Sequence, residues 1–122
     1  MTFASLKSPS AKFESQHIRT ARDQEYLAFS RITRQLQQAL ETGDRHAMIQ
    51  AAYANNQLWT VLAADLAEPG NALPDQTKAG LLSLAIFTIK QGQKILSDGA
   101  SPESLIEINM RMMKGLRGEV QS

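Results

Sequence analysis

Few residues in this 122-residue chain have the types and spacing that catalysis or metal binding requires. Asp65 and Glu68 stand three residues apart, which would put two carboxylates on one helix face. That spacing alone is a weak signal for acid–base chemistry, because nothing nearby offers a nucleophile or a partner base. The two histidines, His17 and His46, have no carboxylate or nucleophile at a catalytic spacing. There is no cysteine, so thiolate metal sites and disulfides are excluded. No Gly-rich phosphate loop, nucleophile elbow or HExxH motif is present. The chain is therefore expected not to be an enzyme and to carry no cofactor and no metal.

Amides and off-pattern hydrophobes offer binding chemistry instead. Asn55 and Asn56 fall on the same apolar arc as Trp59, and Asn109 falls between Leu105 and Met112. A buried amide left unpaired costs about 1–3 kcal/mol, so each must find a partner. Either they bond across the fold and fix its register, or they face a groove and bond a peptide. Ile86 and Phe87 flank the polar strip of Ser83, Lys90 and Lys94, and Met110 lies off the Leu105–Met112 face. Such side chains can line a groove for an amphipathic helix, with methionine adapting its shape to the ligand. Ile86, Phe87, Met110 and Met113 are the candidate groove residues, with Asn56 and Asn109 as candidate polar anchors.

The elements that must hold these residues are helices. Thr20 before Asp23 resembles a helix start, and Thr42-Gly43 a stop. Asp44 can cap a second helix ending before Pro69-Gly70, and Pro74-Asp75 can open a third that ends at Ser97-Asp98-Gly99. Ser101-Pro102-Glu103 opens a fourth, fading near Gly115 or Gly118. No segment alternates with period two, so strands are not expected. On helical wheels, Phe29, Ile32, Leu36, Ala39 and Leu40 share a face of the first helix, and Met48, Ala52, Trp59, Leu62, Ala63 and Leu66 a face of the second. The third is apolar around most of its circumference, as a central helix would be. The predicted fold is all-α, a single bundle of about four helices over residues 20–118, preceded by a flexible arm over residues 1–19.

Composition is consistent with this. The formal net charge is +1, from 13 basic and 12 acidic residues, which argues against affinity founded on phosphate neutralisation. Charge is uneven but sparse: +3 over residues 1–40, −3 over 41–80 and +1 over 81–122. No run of 18 apolar residues is present, and Met1 to Ser10 lack the apolar stretch of a secretory leader. A cytoplasmic protein without a membrane partner is expected.

In order, the segments resemble a known family. Arg22-Asp23-Gln24-Glu25-Tyr26 leads to Phe29, Thr33 and Leu36, followed by Asn56-Gln57-Leu58-Trp59 and Leu62-Ala63-Ala64-Asp65-Leu66. Gly70-Asn71-Ala72-Leu73-Pro74 precedes the third helix, and Leu105-Ile106-Glu107-Ile108-Asn109, Met113 and Gly115-Leu116 close the pattern. Together they resemble the FlaF family of flagellar biosynthesis regulators. The resemblance implies a role in flagellin production and export, as a secretion chaperone whose partner is a terminal amphipathic helix of flagellin, with the regulator FlbT as a further partner. It also carries over Asn56, Trp59, Asn71 and Asn109, with Trp59 expected in the core and the asparagines as structural locks or peptide anchors. Phe3, Leu6 and Phe13 would be placed to fold over the groove. The alternative is a post-transcriptional regulator acting through flagellin mRNA or FlbT. Arg31, Arg34 and the N-terminal charge excess favour it, although nucleic acid is not the expected partner.

Overall fold

The computed structural model contains four helices: α1 (Lys12–Thr42), α2 (Arg45–Ala67), α3 (Asp75–Asp98) and α4 (Glu103–Leu116). It describes the backbone of residues 12–116 and the side chains of residues 25–115. No strand occurs among the described residues, and none of their helices is long and apolar enough to cross a membrane.

Each connection is shaped by residues suited to it. Gly43 takes a left-handed φ of 68° after α1, a conformation that glycine adopts without steric cost. Asp44 then caps α2, its carboxylate accepting from the Ala47 N–H at 3.1 Å. Pro69 and Gly70 form the corner of a turn closed by the Asn71 N–H donating to Glu68 O at 3.0 Å. Asn71 is buried and locks that loop. Its Nδ2 donates to Asp65 O at 3.3 Å, and its Oδ1 accepts from the Leu73 N–H at 3.0 Å. Lys78 Nζ adds a bond to Asn71 O at 2.9 Å. Between α3 and α4, Gly99 is left-handed at φ 71° and its N–H returns to Ile95 O. Ser101 Oγ accepts from the Glu103 N–H at 3.3 Å at the start of α4.

One cap is supplied from a distant part of the chain. Arg45, the first residue of α2, donates from Nη1 to Ile95 O at 3.0 Å and from Nη2 to Leu96 O at 3.2 Å. Those carbonyls belong to the last turn of α3, where partial negative charge collects and cations are favoured. The same guanidinium would be poorly placed for the positive end of its own helix. Its position makes sense only because α2 and α3 run antiparallel.

The bundle is built around α2, which packs along both α1 and α3, while α4 packs mainly on α1 and touches α3 sparingly. Trp59 sits at its centre, meeting Phe29 edge to face at 5.7 Å between ring centroids. Leu36, Leu62, Leu66, Ile95 and Leu105 are buried in the same core.

Three expectations are corrected. The apolar circumference of α3 marks it as central in sequence, yet only Ala85, Thr88, Gly92 and Ile95 of that helix are buried. The central helix is α2, because both α1 and α3 pack along it, whereas α4 leans on α1 and leaves α3 covered mainly from one side. Leu40 shares the angular position of the α1 core stripe but is 43% exposed, since burial in a last turn needs a neighbour that reaches that far. Finally, α1 begins at Lys12 rather than near Thr20. Residues 1–11, with Phe3 and Leu6, and the side chain of Phe13 lie outside those described.

Candidate functional site

The six residues singled out as partner-binding do not converge on one place. Asn109 is fully buried, accepting from Trp59 Nε1 at 3.0 Å and donating from Nδ2 to Asn55 Oδ1 at 2.7 Å. Its amide is committed within the bundle, so it acts as a lock between α4 and α2. Asn56 is half-buried, and its side-chain amide lies against Gly92 of α3, where a β-carbon would overlap it. Met113 is 6% exposed and belongs to the core.

Ile86, Phe87 and Met110 are the exposed members, at 55%, 49% and 44%. Helical spacing sends them to three different flanks. Leu84, Phe87 and Gln91 form one row of α3, and Gln91 Nε2 meets Ser104 Oγ of α4 at 3.4 Å. Phe87 therefore lies on the α4-facing flank. Ile86 stands across the polar strip of Ser83, Lys90 and Lys94, on the flank away from α4. On α4, the row that follows Ser104 is Ile108 and Met112, whereas Met110 lies with Met113 and Lys114 against α1.

Phe87 thus shares the α4-facing side of α3 with Leu84, and the row of α4 that follows Ser104 carries Ile108 and Met112; Leu84, Ile108 and Met112 are half-buried. They border the seam between two helices that touch each other sparingly. Sequence periodicity identifies Ile108 and Met112 as apolar-face residues, but it does not reveal that α4 makes little contact with α3. The seam offers apolar surface, soft methionine and no titratable group among these four side chains. It is suited to holding an apolar stripe and not to bond chemistry.

Elsewhere the structure adds little that could react. Among the described residues, no group of three or more His, Asp or Glu is placed to hold a metal ion. The Asp65 backbone carbonyl accepts from the Glu68 N–H at 3.2 Å and from Asn71 Nδ2 at 3.3 Å, which ties the end of α2 to the loop that follows it. Arg31 and Arg34 are exposed on α1, with no carboxylate within ion-pair distance among the described residues.

No curated protein matches the chain, and no solved structure matches it. A protein family does, over residues 11–116, a span that includes all four helices from Lys12 to Leu116, the Asn71 loop and both sides of the seam. The family is described as flagellar protein FlaF, and this chain belongs to it, which associates the bundle with flagellar biogenesis.

Proposed function

We propose that the protein is a non-enzymatic chaperone of flagellin, holding a terminal amphipathic helix of the monomer on the seam between α3 and α4. The observation that carries this reading is the half-exposed Phe87 on the α4-facing side of α3, a flank that α4 covers sparingly. Membership of a flagellar family supplies the context. Amphipathic segments that order only on polymerisation need their apolar stripe covered beforehand, and a helix laid into a groove provides that cover. Phe87 alone would contribute on the order of 1 kcal/mol by losing its remaining exposure. Such a chaperone works in the cytoplasm before export, and its occupancy reports how much unpolymerised flagellin is present, which links export to synthesis.

Calorimetric titration of the full chain with flagellin monomer, and with versions lacking either terminal segment, tests the proposal. Binding that disappears with one terminus, accompanied by a negative heat-capacity change, is the expected result. Equal binding by both truncated forms, or none by the intact monomer, would overturn it.

A further inference from the structure

The depression between α1 and α4 lies on the opposite flank of α4 from the seam, and its chemistry is different. Its volume is about 250 Å³, with Thr33 and Met113 among its lining and Tyr26, Arg34, Met110 and Lys114 around them. Thr33 is 3% exposed, yet its Oγ1 has no hydrogen-bond partner. Arg34 and Lys114 meet no carboxylate within 4 Å among the described residues. The nearest acid along α4, Glu107, is held by Arg111 at 2.9 Å. No Asp or Glu lines the depression. Beside the depression, on the solvent side of α1, Arg34 begins a row that runs through Arg31 to Leu27, which is 61% exposed, at the i, i+4, i+7 spacing.

Two exposed apolar side chains, Leu27 and Met110, are therefore accompanied by three cations with no carboxylate within ion-pair distance among the described residues. We propose that this face docks an acidic amphipathic helix of a partner protein, seating one apolar side chain on Met110 and Leu27 while its carboxylates meet Arg34 and Lys114. Charge complementarity selects that occupant. Guanidinium and ammonium groups pair with carboxylates through charge-assisted hydrogen bonds, and methionine reshapes around an aliphatic anchor. Single-stranded nucleic acid is less well suited, because bases require an open ring to stack on and the ring at this site, Tyr26, is half-buried. Residues 1–11 contain no acidic residue, so the chain's own N-terminal segment cannot supply the carboxylates. The proposal is independent of flagellin binding at the seam.

The probe is a designed helical peptide with one leucine flanked by glutamates at three- and four-residue spacing, alongside a counterpart with glutamine in their place. Both are titrated into the full chain labelled at its methionine methyl groups. The glutamate peptide should shift the Met110 and Met113 signals more than that of Met112, and should bind at least about tenfold more tightly than the glutamine peptide. Arg34→Glu with Lys114→Glu changes two exposed residues, and a retained helical spectrum establishes that the fold survives. This variant should lose the glutamate peptide and accept a lysine version. Equal affinity for the two peptides, shifts centred on Met112, no binding at millimolar peptide, or displacement of the peptide by a short RNA would each overturn the proposal.

Discussion

The indole N–H of Trp59 donates to Asn109 Oδ1 at 3.0 Å, joining α2 to α4 through the interior of the bundle. Asn109 passes the chain on to Asn55 at 2.7 Å, so a single amide satisfies a donor and an acceptor on the facing helix. Sliding α4 by a turn would break both bonds and leave three polar groups buried. The arrangement penalises alternative registers more than it adds stability to the correct one.

Asn109→Ala should therefore destabilise the fold by about 2–4 kcal/mol, because it strips both Trp59 Nε1 and Asn55 of partners and opens a small cavity. Trp59→Phe should cost less, and the double variant less than the sum of the two. Urea denaturation of the four proteins in the cycle measures the coupling. Additive losses would mean that the hydrogen bond contributes nothing to stability.

Gly92 is the second point at which two helices fit by local shape. A β-carbon there would overlap the Asn56 amide, whose buried Oδ1 has no hydrogen-bond partner. Gly92→Ala should cost about 1–3 kcal/mol through overpacking. Asn56→Ala should cost under about 1 kcal/mol, since it removes an oxygen that has no partner, and it should restore most of the loss when combined with Gly92→Ala. Thermal unfolding of the single and double variants decides the matter, and a full unrelieved penalty in the double variant would place the strain elsewhere.

What was legible in the sequence was local. Asp44, Gly43, Gly99 and Ser101 act where their side chains or their freedom at positive φ say they should, because caps and turns are decided by a few adjacent residues. The core asparagines were legible as locks or anchors, but choosing between them needed a partner across the bundle, which for Asn109 is Trp59. Two things were not local. The start of α1 was misplaced because Thr20 in a helix interior carries only a weak penalty, and no Gly or Pro separates Lys12 from Thr42. The relative placement of Ile86, Phe87 and Met110 is not legible either, because all three are exposed hydrophobes and exposure says nothing about which flank a neighbour occupies.

Arg45 was not anticipated, since a basic first residue appears unfavourable for α2. Its two bonds to Ile95 O and Leu96 O tie the start of α2 to the end of α3. Arg45→Met keeps the aliphatic stem and removes the donors, and should lower stability by about 1 kcal/mol, less at high salt. Hydrogen exchange adds a local readout. The Gly99 and Ala100 N–H groups, bonded to Ile95 O and Lys94 O, should exchange faster in the variant while the α1 amides keep their protection in proportion to global stability. Unchanged protection at Gly99 would separate the guanidinium from the cap.

Ile86 and Phe87 are adjacent and similarly exposed, at 55% and 49%, yet only Phe87 faces the seam. This pair separates a docking surface from general stickiness. Neither Ile86→Asp nor Phe87→Asp should move stability by more than about 1 kcal/mol, because each side chain is half in solvent already. If flagellin's terminal helix lies on the seam, Phe87→Asp places a charge in a contact that must be dry and should weaken binding by at least about tenfold, whereas Ile86→Asp should leave it within about twofold. Leu84→Ala and Met112→Ala should fall between, with Leu84→Ala the milder because the flexible Met112 can fill the space it leaves. Calorimetry with the flagellin monomer reads all four variants. Equal loss from Ile86→Asp and Phe87→Asp would put the contact on the whole exposed face of α3, across Lys90 and Lys94, and would remove the reason for assigning the client to the α4 side.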